Sequence, residues 1–308
     1  FLLANEGGEW VDITPEPLKG IGMVTDACWA DLDGDQDPDL LVVGDWMPVQ
    51  VFINEQGRLS GPGPIPNSRG WWTRIQAADL DQDGDPDFVL GNWGLNTKLK
   101  ASPQRPLQMY VNDFDANGKS EFIICWYPPL EKQAYPFATK AEITAQMPSL
   151  KKQILRYETY ATQTYETLFP PEIRQQSIAY TAENLHSSVL WNEGGSFSLQ
   201  ALPVEAQVAP VFGIVCSDFN QDGQADIWLG GNFYGAKPQV GRYDASRGVL
   251  LTGKGGRAFE YVPPAASGIE VSGEVRDAAL VHTAGAPLLM VSRNNEEVLV
   301  FQPVKPIP

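Results

Sequence analysis

Apolar positions along the chain gather into short runs cut by acidic or glycine-bearing turns. Thr25–Ala30, Thr73–Ala78, Leu107–Asn112 and Phe212–Ser217 each mix apolar and polar residues, the pattern of a strand with two unlike faces. After a nine-residue acidic stretch each is followed by a continuous apolar run: Leu40–Trp46, Phe88–Trp93, Phe122–Tyr127 and Ile227–Tyr234. A fifth copy, Val275–His282 and Pro287–Ser292, keeps both strands but joins them through Thr283-Ala284-Gly285-Ala286, and Glu297–Gln302 follows as a further strand. Gln50–Leu59, Ser188–Leu199 and Phe1–Ile13 read as strand, turn, strand, with Asn-Glu-Gly-Gly at two of the turns. Recurring four-stranded antiparallel units predict an all-β, radially repeated β-propeller, with about five blades in this chain, either closing by themselves or forming part of a seven-bladed ring. Pairing of Trp10–Ile13 with the last blade would close a five-bladed ring.

Residues 139–176 break the strand rhythm. Lys140–Gln146, Ser149–Tyr157 and Thr162–Phe169 are rich in helix formers, and Ile143, Met147, Leu150, Ile154 and Tyr157 fall at helical spacing. Ser149 reads as an N-cap and Pro170-Pro171 as the end. The domain expectation is one propeller over 1–308, with a helical insertion at 139–176 inside the third blade.

The acidic stretches are DLDGDQDPD (31–39), DLDQDGDPD (79–87), DFDANGKSE (113–121) and DFNQDGQAD (218–226). Calcium takes six to eight oxygens at about 2.3–2.6 Å, and acids at alternate places of a tight loop can converge on one point. The candidate side-chain ligands are Asp31, Asp33, Asp35 and Asp39; Asp79, Asp81, Asp83 and Asp87; Asp113, Asp115, Asn117 and Glu121; and Asp218, Asn220, Asp222 and Asp226. The seventh place of each loop, Asp37, Asp85, Lys119 or Gln224, would give its backbone carbonyl. An EF-hand would need a glutamate at place twelve and flanking helices; Val42 and Leu90 stand there in the first two loops, and strands flank all four.

With D-x-[DN]-x-[DN]-G-x-x-D ahead of a short apolar strand in four places, the chain resembles the FG-GAP/VCBS repeat family, the propeller repeat of integrin α chains and many secreted bacterial proteins. The resemblance covers nearly the whole chain outside the helical stretch. It implies up to four structural Ca²⁺ ions and an extracellular module, secreted or on a cell surface. Two departures bear on the loops. The first has Gly34 at place four and Gln36 where glycine is usual, and the third ends in the longer Glu121. The second and fourth loops therefore rank above the third and first.

Charge agrees with this. Of 38 acidic residues 16 lie in the loops, and the formal net charge is −16. Such a chain lacks the basic excess that nucleic acid or an anionic membrane demands. No apolar run is long enough to span a bilayer. Cys28, Cys125 and Cys216 imply neither a disulfide framework nor a zinc site. The sequence opens on Phe1-Leu2-Leu3 without Met, which reads as part of a larger polypeptide, any export signal lying outside it.

Residues after each second strand should lie on the face opposite the loops: Asp45-Trp46, Asn92-Trp93 with Asn96, Trp126-Tyr127 and Asn232-Phe233-Tyr234, joined by Trp71-Trp72. They would either bind a glycan or protein ligand or wedge between blades. The sequence holds two histidines, His186 and His282, and no G-x-S-x-G, H-E-x-x-H or P-loop. The expectation is a binding or adhesion module and no enzyme. The alternatives are a glycan-degrading lyase or hydrolase, with Arg242 and Tyr243 near Tyr234 as its candidates, and a passive spacer in a larger surface protein.

Overall fold

The computed structural model describes residues 1–238, 240–284 and 286–302, with Pro62 described by its backbone. The chain divides into two compact units, Phe1–Thr97 with the chain from Leu185 onward, and Lys98–Asn184.

The first unit holds a series of antiparallel sheets. The first sheet orders Met23–Ala30, Asp39–Met47, Gln50–Glu55 and Arg58–Pro64, with Gly70–Trp71 added beside the second strand. The second orders Arg74–Ala78, Asp87–Gly91, Ser188–Glu193 and Ser196–Ala201. A further sheet runs Val211–Ser217, Asp226–Gly231, Val249–Gly253 and Phe259–Val262. The last has three described strands, Val275–Val281, Leu288–Arg293 and Leu299–Phe301. The sheets of the first unit are called first, second, fourth and fifth; the third belongs to the second unit.

The apolar second strands explain the stacking. Phe88 and Leu90 pack with Leu41, Val43 and Trp72 against the first sheet, while Val89 packs with Ile227 and Leu229 against the fourth. Trp228 turns the other way, to Val275, Leu289 and Val291 of the fifth sheet. Runs such as Phe88-Val89-Leu90 are continuously apolar because both strand faces are covered. Arg74 pairs with Asp277 of the fifth sheet at 2.8 Å and lies 3.4 Å from Asp26 of the first. First strands of three sheets thus meet at Arg74.

The outer pair of the second sheet differs from a meander of strands consecutive in the chain. Ser188–Glu193 pairs with Asp87–Gly91 in the register Ser188↔Leu90, Val189↔Val89, Leu190↔Phe88, across the whole of Lys98–Asn184. A turn such as Asn192-Glu193-Gly194-Gly195 defines a hairpin locally but carries no record of which inner pair it joins. The N-terminal hairpin also differs: Leu3–Glu6 pairs with Glu9–Asp12, and among the described strands these two form a sheet of their own. Trp10 is 68% exposed and does not close a ring on Leu299–Phe301.

The second unit contains the third sheet, ordered Tyr135–Pro136, Glu121–Trp126, Leu107–Asn112 and Ile178–Ala182. Its helices lie between the last two strands in sequence. Lys140–Gln146 is an α-helix capped by Thr139, whose hydroxyl accepts the Glu142 N–H while Glu142 reaches back to the Thr139 N–H. Pro148–Lys152 is a 3₁₀ turn, and Tyr157–Ala161, Tyr165–Leu168 and Pro171–Gln176 are short helices. The expected helix from Ser149 to Tyr157 is therefore broken, and Pro171 begins a helix rather than ending one, because proline's missing N–H costs nothing at a first turn. Ile143, Met147, Leu150 and Ile154 are buried as expected, but Tyr157 is 68% exposed.

Candidate metal sites and the opposite strand ends

Each acidic loop joins the first two strands of its sheet, and all four share one hydrogen-bond plan. The residue at place two donates its N–H to the carboxylate at place nine: Leu32 to Asp39 (2.8 Å), Leu80 to Asp87 (3.1 Å), Phe114 to Glu121 (3.0 Å) and Phe219 to Asp226 (2.8 Å). The N–H at place seven donates to the oxygen at place five: Asp37 to Asp35, Asp85 to Asp83, Lys119 to Asn117 and Gln224 to Asp222, all at 2.8–2.9 Å. The carboxylate at place one accepts further loop N–H groups, from Gly34 and Gln36, Gln82, Asn117 and Gly118, or Asp222 and Gly223. The apolar residue at place two drives into the core, Leu32 and Leu80 being at most 5% exposed. That recurring apolar residue is legible in the sequence as an anchor.

Backbone conformation corrects the expectation for the first loop. Places four and six are left-handed in every loop: Gly34 and Gln36 (φ 81°, 74°), Gln82 and Gly84 (64°, 98°), Ala116 and Gly118 (56°, 82°), Gln221 and Gly223 (61°, 87°). Each loop supplies one glycine and one side chain to these two places, and the first loop merely exchanges them. Gln36 is no worse placed than Gln82.

The ninth-place acids are structural as well as acidic. Asp39, Asp87 and Asp226 have no exposed surface, and Glu121 is 5% exposed. The second oxygen of each Asp accepts an N–H from the third strand of its sheet: Asn54 to Asp39 (2.7 Å), Asn192 to Asp87 (3.0 Å) and Gly253 to Asp226 (2.9 Å). These contacts span 15, 105 and 27 residues. In the third loop the Asn117 side-chain amide stands in for the strand N–H, donating to Glu121 Oε1 (3.3 Å). Burial pushes Asp87 up to about 6 and raises Asp39 and Asp226, against the hydrogen bonds that favour their ionised forms; neighbouring loop carboxylates push the same way.

In three loops the acids at places one, three and nine converge. Oxygens of Asp31, Asp33 and Asp39, of Asp79, Asp81 and Asp87, and of Asp113, Asp115 and Glu121 lie within 4.8 Å of one another. Asp81 Oδ1 and Asp115 Oδ1 are buried with no hydrogen-bond partner among the described residues. A buried carboxylate oxygen without a donor is costly, and a hard cation is the partner that fits three oxygens and no proton. Asp35 and Asp83, at place five, stand outside these groups. In the fourth loop place three is Asn220, whose amide donates to Asp222 (2.9 Å); the Gln224 N–H first, and then that bond, hold Asp222 below the usual carboxylate range. The fourth loop, ranked high from its sequence, thus satisfies part of its own charge with an amide.

At the opposite ends of the second strands, aromatic rings form a row: Trp46–Trp71 (5.2 Å between centroids), Trp71–Trp93 (4.8 Å, stacked) and Trp93–Phe233 (5.4 Å), with Tyr243 edge-on to Trp93 (5.2 Å). Trp46 is only 4% exposed, and Trp71, Trp93 and Phe233 are half-buried. Trp72 leaves the row for the core, donating Nε1–H to the Ser68 carbonyl (2.8 Å). Asn232 is buried and brackets Ser246 and Gly273, while Asn92 is buried and accepts the Trp93 N–H. Asn96 is exposed, and its amide donates to the Val208 carbonyl. Tyr234 carries the Arg242 guanidinium over its ring at 3.8 Å, and Tyr243 bonds Thr97. Trp126 and Tyr127 belong to the second unit, where Trp126 meets Phe137 and Arg105 lies over Tyr127. Asp45, aligned in the repeat with Asn92 and Asn232, is half-buried beside Trp71 in register, and its carboxylate makes no hydrogen bond or ion pair among the described residues; burial pushes it up to about 6.

All three cysteines are free thiols; burial pushes Cys125 and Cys216 up to about 12, which leaves them unreactive. Residues 31–90, spanning the first two loops, match the family model described as an FG-GAP-like repeat. No curated protein matches the chain. The repeat is typical of β-propeller-like extracellular or adhesion-type modules. No helix among the described residues is long and apolar enough to cross a membrane.

Proposed function

We propose that this chain, which carries an FG-GAP-like repeat, is a calcium-stabilised extracellular binding or adhesion module built on a β-propeller, and not an enzyme. The observation that carries the reading is the convergence of three carboxylates in three repeated loops, two of them with a buried oxygen lacking a donor. Asp31, Asp33 and Asp39, Asp79, Asp81 and Asp87, and Asp113, Asp115 and Glu121 would hold Ca²⁺, joined by the fifth-place side chains and seventh-place carbonyls; Asp218, Asn220, Asp222 and Asp226 would form a weaker fourth site. A bound cation cancels the repulsion among these acids. Propeller closure is part of the proposal, supported by the meeting of three first strands at Asp26, Arg74 and Asp277.

The ligand would bind on the face opposite the loops. The ring faces of Trp71 and Trp93 are turned to each other, so the row offers edges rather than an open platform. That favours a protein ligand over a sugar, which needs an uncovered aromatic face. Titrating chelator-stripped protein with Ca²⁺ by calorimetry tests the metal reading: binding of at least three ions is expected, and no heat at millimolar Ca²⁺ would end it. A solid-phase screen against extracellular proteins and glycans, with Trp93→Ala as control, tests the face.

A further inference from the structure

The second loop has a partner from outside its own sheet. Arg257, in the turn between the last two strands of the fourth sheet, donates from Nε to Asp81 Oδ2 at 3.0 Å and pairs through Nη2 with Glu193 Oε1 at 2.7 Å. Its guanidinium lies over the Trp191 ring at 4.8 Å. Three contacts therefore fix a side chain that ordinarily has much rotamer freedom. The same two sheets meet again where the Gln82 side-chain amide donates to the Gly223 carbonyl of the fourth loop.

The consequence falls on Asp81. One of its oxygens is taken by Arg257, and the other, Oδ1, is buried without a donor and within 4.8 Å of ligand oxygens of Asp79 and Asp87. Rotation of the carboxylate would break the Arg257 bond. We propose that Arg257 is a positioning residue for the metal of the second loop, holding Asp81 so that Oδ1 faces the ion, and that this site is completed only when the fourth sheet docks on the second. The proposal rests on the calcium reading above. Outer partners of ligating groups commonly change metal affinity by about 10–100-fold. Opposing this, a guanidinium beside a dication repels it. A residue acting by charge alone would tighten binding when removed, so the sign of the change separates the two roles.

The experiment is calorimetric Ca²⁺ titration of the full chain as wild type, Arg257→Gln and Arg257→Lys, with Asp79→Asn identifying the second-loop step and melting recorded in Ca²⁺ and in EDTA. Arg257→Gln is expected to weaken that step about tenfold and to lower Tm more in Ca²⁺ than in EDTA. Arg257→Lys, which keeps one charged contact, is expected to weaken it by roughly threefold. An unchanged or tighter second-loop step, or an equal Tm loss in both conditions, overturns the proposal and leaves Arg257 as a packing residue. Should Arg257→Gln not fold, the Lys variant decides by the same criteria. Absence of Ca²⁺ binding by wild type would instead overturn the calcium reading itself.

Discussion

Asp87 and Asp45 sit at opposite ends of equivalent strands, and burial pushes both up to about 6. Their surroundings differ. Asp87 is fully buried, accepts two backbone N–H groups and shares its loop with Asp79 and Asp81. The Asp45 carboxylate has no hydrogen-bond or ion-pair partner among the described residues, and stands where the other repeats place the bonded amides of Asn92 and Asn232. Under the calcium proposal, a raised carboxyl at the loop end is strain that a cation would relieve; a raised carboxyl at the aromatic end has only the proton. One repeat thus keeps two uses for burial, and the surrounding donors decide which applies.

The sharpest way to break that contrast is to test the proposed cation by chelation. Chelation is expected to lower Tm on the order of 10 °C through loss of linked binding energy at several sites, measured by calorimetry in EDTA against millimolar Ca²⁺. Next comes Asp87→Ala, which leaves the Leu80 and Asn192 N–H groups without acceptors and should cost about 2–4 kcal/mol in chemical denaturation. An effect below 1 kcal/mol would mean the ninth-place acid serves metal alone.

Asp45→Asn is expected to act in the opposite direction. A folded-state value near 6 lies above the ordinary carboxyl value, so ionised Asp45 opposes folding. Its penalty is absent below about pH 4, grows between about 4 and 6, and is constant above. The amide should stabilise the protein by about 1–2 kcal/mol at pH 7, after allowance for partial exposure, and by nothing at pH 3.5. A gain independent of pH would contradict the burial argument. The smallest effect is expected from Asn220→Asp, which gives the fourth loop the third-place acid of the others. It should tighten one Ca²⁺ step severalfold, about 1 kcal/mol, in the same titration.

Much of the architecture was legible from pattern. Mixed first strands, continuous apolar second strands and alternate acids between them identify the inner hairpins, because those signals are local: strand period, turn conformation and loop chemistry all fall within about twenty residues. The burial of Ile143, Met147, Leu150 and Ile154 was readable for the same reason, but the break in the helix expected to carry them was not. Pairing across long separations was not. Nothing near Asp87 indicates that its N–H donor is Asn192, 105 residues on, and nothing near Asp81 indicates Arg257, 176 residues on.

The sequence by itself determined the repeat, the all-β class and the carboxylates available for a cation, since each follows from residues that are neighbours in the chain. Only the tertiary structure decided which outer hairpin completes the second sheet, which acids converge and that Arg257 holds one of them. It also turned aligned aromatic positions into a row, a core residue and two residues of a separate unit. The physical reason is that sheet stacking depends on which apolar faces cover each other, and that choice is made among surfaces far apart along the chain.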